Sequence, residues 1–173
     1  MGFPDATTAR LQKLCDHWYI THDKSDDEVA QEIQKDRIDI LVDLAGHTAS
    51  SRLTVFARKP APVQVSYLGY PNTTGLHTVD YRLTDVWADP PGPTERYYVE
   101  KSVRLPEGVL CYTPPADAPA VSDPPREKTG HVTFGSFNAL AKITPQVIAL
   151  WAEIMKSLPE SRMVLKSHAL TDA

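Results

Sequence analysis

Only two cysteines, Cys15 and Cys111, occur in the 173 residues. So sparse a pattern excludes a disulfide-stapled secreted scaffold and reads as two reduced thiols. No apolar run approaches the length that spans a membrane, so no membrane partner is expected. The opening residues MGFPDATTAR lack a charged stretch followed by an apolar one and do not read as a signal peptide. Ala6 stands where the myristoylation pattern needs Ser or Thr. Lys and Arg form no run and the net charge is -4, which argues against nucleic acid as a partner. The six histidines include none at metal-ligand spacing, so no metal site is expected. P-loop, G-x-G-x-x-G and G-x-S-x-G motifs are all missing, and there are no internal repeats.

What is present is ordinary globular material, with 42% hydrophobic and 23% charged residues. Ser25-Asp26-Asp27-Glu28 has the form of a capping box opening a helix. Arg37 to Leu44 (RIDILVDL) follows as a buried strand, and a helical stretch around Leu53, Phe56 and Ala57 is closed by Pro60 and Pro62. Val63 to Leu68 reads as a second buried strand, ended by the turn Gly69 to Gly75. Val79, Tyr81 and Leu83 alternate with polar residues as a half-exposed third strand, and a short fourth lies near Val103 and Leu105. Residues 113–130 hold five prolines and read as a linker. Then His131 to Phe137 is a strand, and Thr144-Pro145 caps a helix with an apolar stripe of Val147, Ile148, Trp151, Ile154, Met155 and Leu158. Arg162 to Lys166 is a further strand. The rhythm is that of an α/β protein. A single β-α-β unit at 131–166 does not complete a lobe: either the remainder belongs to a longer protein, of which this chain is expected to be a fragment, or residues 131–173 add to the first sheet.

Three places suit chemistry. Asn138, Ala139 and Lys142 lie between a strand end and a helix start, where open α/β sheets bind ligands. A helix N-terminus and a lysine there suit a phosphate group, and fixed positive charge stabilises a diphosphate as it leaves. A lysine at such a loop also fits simple solvation. His47, Thr48 and Arg52 follow the strand ending at Leu44 and have donors for a sugar or phosphate, or serve as a cap and surface residues. Leu68-Gly69-Tyr70-Pro71-Asn72-Thr73-Thr74-Gly75 offers two glycines and two hydroxyls to an approaching ligand, or a plain tight turn. Asp80 and Asp85 suit a base, an acceptor or a structural role.

These segments together resemble a known family. The runs RKPAPVQV (58–65), LGYPNTTG (68–75), Val79-Asp80-Tyr81, Thr84-Asp85, FGSFN (134–138) and KITP (142–145) are similar to the catalytic region of the O-GlcNAc transferase family, glycosyltransferase family 41. GHTA (46–49), GYPNTTGL (69–76), ADPP (88–91), VRLP (103–106), LCYTP (110–114) and LAKITP (140–145) lean toward its SPINDLY branch. The resemblance covers roughly residues 26–168. It implies a GT-B fold, two Rossmann-like lobes with the donor bound on the second. It implies metal-independent, inverting transfer to Ser or Thr of cytoplasmic or nuclear proteins, with a tetratricopeptide array in the full-length protein. The donor stays open between UDP-GlcNAc and GDP-fucose. Lys142 matches the lysine that holds the donor diphosphate, with Asn138 and Ala139 beside it. His47, Thr48 and Arg52 match the loop near the sugar pocket, and Leu68, Gly69 and Pro71 the loop lining it. The sequence departs from animal O-GlcNAc transferases at His47, where they have Tyr, at Ala139, where they have a polar amide, and at Glu107-Gly108, where they have His-Thr. The family's proposed catalytic histidine would lie upstream of Met1 and its nucleoside-gripping segments beyond Ala173, so the isolated chain is expected to be inactive. A catalytically inactive interaction module of the same fold is the alternative.

Overall fold

A computed structural model describes residues 4–92 and 94–170. The chain divides into two compact units, the first ending at Thr113 and the second beginning at Pro114.

The first unit opens with a short helix, α1 (Ala6–Gln12), held by Asp5, whose carboxylate accepts from Thr8 N at 2.8 Å. It buries none of its residues. Helix α2 (Asp26–Lys35) begins as its capping box predicts. The Glu28 carboxylate accepts from Ser25 N at 2.8 Å, and the Ser25 hydroxyl accepts from Glu28 N at 3.3 Å. Asp26, Asp27 and Glu28 in the first turn and Lys35 in the last complement the helix dipole.

Strands β1 (Ile40–Asp43), β2 (Val63–Ser66), β3 (Tyr81–Asp85) and β4 (Lys101–Leu105) form one sheet in that order, every neighbouring pair parallel. Helix α3 (Leu53–Ala57) lies in the crossover from β1 to β2. Parallel pairing brings all four C-terminal strand ends to one edge, and the loops that follow them gather there. The core is small: Val55, Phe56, Ala61, Val65 and Val79 are buried. Gln64, fully buried, joins helix to sheet by donating to the carbonyls of Phe56 and Thr78, both at 2.8 Å.

Two burial expectations fail. Among the described residues β1 pairs with β2 alone, and its Ile40 is 59% and Val42 44% exposed, because little packs over those side chains. In β3 the polar residues Arg82, Thr84 and Asp85 are buried, while Tyr81 and Leu83 are only half-buried. Burial of Arg82 is sustained by an ion pair with Asp89 and by the Tyr98 ring, 3.9 Å from the guanidinium carbon.

The second unit contains helix α4 (Pro125–Thr129), formed inside the proline-rich segment and ended by Gly130 at φ 74°. Strand β5 (Thr133–Ser136), helix α5 (Pro145–Ser157) and strand β6 (Arg162–Leu165) make a parallel β-α-β unit. Thr144 caps α5 by accepting from Val147 N at 3.4 Å, and Pro145 takes the first helical position. The apolar stripe of α5 is only partly covered: Ile148 is 54% and Leu158 44% exposed.

Candidate functional site

The loop after β1 is wound back on its own strand. The Asp43 carboxylate, buried at the strand end, accepts from Ala45 N at 3.0 Å and Gly46 N at 2.9 Å. Gly46 sits at φ 53°, and a Cβ there would fall 2.2 Å from Cβ of Tyr70. This close approach brings His47 edge-on to the Tyr70 ring, with centroids 5.2 Å apart. His47 Nε2 lies 2.9 Å from the Thr74 carbonyl oxygen. Thr48 donates its hydroxyl to the Ala45 carbonyl at 2.8 Å. His47, Thr48, Ser51, Thr54, Thr74 and Leu76 line a hollow of about 390 Å³.

The loop after β2 is equally constrained. Leu68 takes φ 63°, a sparsely populated backbone state for a residue with a side chain. Gly69 N donates to the Tyr67 carbonyl at 2.8 Å, and a Cβ at Gly69 would lie 1.7 Å from the Leu44 carbonyl oxygen. Leu68, Gly69 and Pro71 are exposed. The structure therefore interlocks the loops after β1 and β2 through Gly46 against Tyr70 and Gly69 against Leu44.

Arg52 is held by protein acceptors. Its guanidinium donates to the Thr21 and Lys24 carbonyls and, at 2.6 Å, to Asp26. Hydrogen bonds from Thr54 and Arg52 hold the Asp26 carboxyl below its usual range. Arg52 thus ties the segment before α2 to the start of α3, and it faces a different hollow, about 1010 Å³, lined also by Trp18, Tyr19, Ile20 and His22. The sequence reading assigned nothing there.

The threonine hydroxyls of the turn are engaged as well. Thr73 and Thr74 donate to Glu100, a residue the sequence reading passed over. Nothing in its local pattern, one acid just before a strand, marks it out. Asp80 and Asp85 take structural roles. Asp80 accepts from Lys59 and from Gln64 N, which outweighs burial and lowers its carboxyl pKa. Asp85 is held low by the backbone N–H groups of Ala88, Val109 and Trp87, at 2.6, 2.6 and 2.8 Å.

In the second unit β5 ends at Ser136, and a turn of 3-10 helix covers Leu140–Lys142. Ala139 caps that turn, its carbonyl accepting from Lys142 N at 2.9 Å. Asn138, Ala139 and Lys142 are exposed. The Lys142 amine makes no ion pair with a described acidic group. The start of α5 is mostly satisfied internally: Pro145 lacks an N–H, and Val147 and Ile148 donate to Thr144. Full positive charge at this loop therefore comes from Lys142 more than from the helix end.

Among the described residues no group of three or more His, Cys, Asp or Glu side chains could hold a metal ion, and no helix is long and apolar enough to cross a membrane.

The family model for glycosyl transferase family 41 matches residues 4–111. A SPINDLY protein of Arabidopsis thaliana, described as a probable UDP-N-acetylglucosamine–peptide N-acetylglucosaminyltransferase, is 52% identical over 149 residues, 86% of this chain and 16% of that protein. The rice protein of the same description is 50% identical over 166 residues, 94% of this chain and 18% of its own length. A solved Thermobaculum terrenum O-GlcNAc transferase mutant superposes with a TM-score of 0.88 at 42% identity, covering 97% of this chain and 31% of that one. The chain thus spans under a fifth of the plant relatives' length. Parallel sheets of the GT-B-like α/β kind, the matched family model and half-identical relatives agree: the chain belongs to glycosyl transferase family 41.

Proposed function

We propose that this chain is part of a protein O-glycosyltransferase that moves a sugar from a nucleotide-sugar to Ser or Thr hydroxyls of cytoplasmic or nuclear proteins. In this reading residues 1–112 belong to the first catalytic lobe, 113–130 link the lobes and 131–173 open the donor-binding lobe. The donor is UDP-GlcNAc or GDP-fucose, and the transfer is inverting and needs no metal.

The observation that carries the reading is the Lys142 amine, exposed and without an ion-pair partner among the described residues, between the end of β5 and the start of α5. As the glycosyl bond breaks, charge accumulates on the departing diphosphate. An ammonium group already in place stabilises that charge more than it stabilises the bound donor, which is what accelerates the step. Asn138 and Ala139 border the same loop and contact the donor. His47 and Thr48, with Leu68, Gly69 and Pro71, surround the sugar. Arg52 serves the sugar pocket indirectly, by fixing the segment that follows Thr48.

The test is Lys142→Met in the full-length protein, assayed with both donors. Transfer falls by about 100-fold or more, with the melting temperature unchanged. Near-normal transfer by the variant removes the mechanism.

A further inference from the structure

Glu100 immediately precedes β4 and is 5% exposed. Thr73 Oγ1 donates to its Oε2 at 2.8 Å, and Thr74 N donates to Oε1 at 2.6 Å. The Thr74 hydroxyl donates to Oε1 as well. Among the described residues no Lys, Arg or His forms an ion pair with it. Burial alone would raise the carboxyl pKa, but the bonds from Thr74 and Thr73 outweigh it and hold the group below its usual 4.5. The carboxylate is therefore ionised at neutral pH, and its charge is met by the turn it grips. With both oxygens engaged, it is not placed to accept a proton from a substrate.

The consequence runs through Thr74. Its N–H and hydroxyl are both fixed on Glu100, so the orientation of its residue is fixed. Its carbonyl meets His47 Nε2 at 2.9 Å. A carbonyl oxygen can only accept, so Nε2 carries the hydrogen, and in the neutral ring Nδ1 is the acceptor. His47 and Thr74 both line the 390 Å³ hollow.

We infer that Glu100 is a positioning residue for the sugar of the nucleotide-sugar: through Thr74 it holds His47 as the Nε2–H tautomer, leaving Nδ1 to accept from a sugar hydroxyl. This rests on reading the hollow as the sugar site. Glu100 touches no donor atom itself, so its removal affects the sugar and spares the nucleotide.

The experiment uses the full-length protein with Glu100→Ala, Glu100→Gln, His47→Ala and the Glu100→Ala/His47→Ala pair. Calorimetry compares UDP-GlcNAc with UDP and GDP-fucose with GDP. Glu100→Ala weakens the sugar-nucleotide by about tenfold relative to the bare nucleotide. Glu100→Gln restores most of that, because its amide oxygen still accepts from Thr74 N. Adding His47→Ala to Glu100→Ala loses nothing further, since both act on one contact. Amide hydrogen exchange across the 73–76 turn is faster in Glu100→Ala than in wild type. Equal weakening of nucleotide and sugar-nucleotide, additive losses in the pair, or unchanged exchange each overturn the proposal. If the wild-type protein binds no sugar-nucleotide, the sugar-site reading fails. The exchange measurement then decides alone: faster exchange keeps Glu100 as the anchor of Thr74, and unchanged exchange removes it. Should Glu100→Ala fail to fold, Glu100→Asp, one methylene short of the turn, carries the same comparisons.

Discussion

Gly69 has no room for a side chain. An added Cβ would sit 1.7 Å from the Leu44 carbonyl oxygen, and that neighbour is backbone, which cannot swing aside. Gly69→Ala therefore shifts the loop after β2 against the end of β1 and costs about 2–3 kcal/mol in urea unfolding. The same shift displaces Tyr70 from His47, so sugar-nucleotide affinity falls with stability. The carboxylates of this unit give a second residue-scale expectation. Asp85 and Glu100 are both held below their ordinary values of 3.8 and 4.5. A depressed carboxyl contributes stability that is complete above the unfolded-state value and disappears as pH falls through the folded-state value. Wild type should thus lose stability below about pH 4.5, and the gap between it and Asp85→Asn or Glu100→Gln should narrow over that range, read from urea midpoints at stepped pH. A gap unchanged down to the acid transition would mean the hydrogen bonds contribute nothing through ionisation. At this scale the sequence showed which residue types stood in each loop. It could not show that the Thr73 and Thr74 hydroxyls face Glu100, or that Arg52 donates to Asp26 and the carbonyls before α2. Those pairings join residues far apart in the chain, and no local pattern encodes them.

Helices and strands were far more legible than their environments. The Ser25 capping box, the Thr144-Pro145 start of α5 and the rhythm of β1, α3 and β2 were readable because each depends on neighbours a few residues away. Burial depends on what covers a face. The run Arg37 to Leu44 (RIDILVDL) reads as a buried strand, yet Ile40, Val42 and Leu44 are exposed in the structure. In β3 the polar residues went inside because Arg82 meets Asp89, both under a tenth exposed, and Asp89 also accepts from Thr94 at 3.0 Å. This pair makes β3 the element most sensitive to a single change. Asp89→Ala strands a buried guanidinium and lowers stability by about 3–5 kcal/mol, while Arg82→Met with Asp89→Leu recovers most of the loss. Equal urea midpoints for the single and double variants would show that the charge, once buried, finds another partner.

Over the whole molecule, the segment between β4 and α4 has a different character from the folded material on either side. It has no strand, and from residue 110 to residue 124 every residue is exposed, Leu110 at 78%, Tyr112 at 80% and Val121 at 102%. The two compact units meet in sequence at Thr113 and Pro114, inside it. A protease needs about ten residues of extended, accessible chain, so cleavage concentrates where backbone hydrogen bonds and burial are fewest. Chymotrypsin prefers large apolar residues, and both Leu110 and Tyr112 qualify here, whereas Phe56 is 6% exposed within α3. Brief digestion of the chain should therefore cut first after Leu110 or Tyr112, giving one product that carries His47, Gly69 and Glu100 and another that carries Asn138 and Lys142. Mass spectrometry of the earliest products decides it. Initial cuts inside the strands β1, β2, β3 or β4 themselves would mean that the sheet opens more readily than the proline-rich segment is reached, and the division of the chain at residue 113 would then have no thermodynamic counterpart.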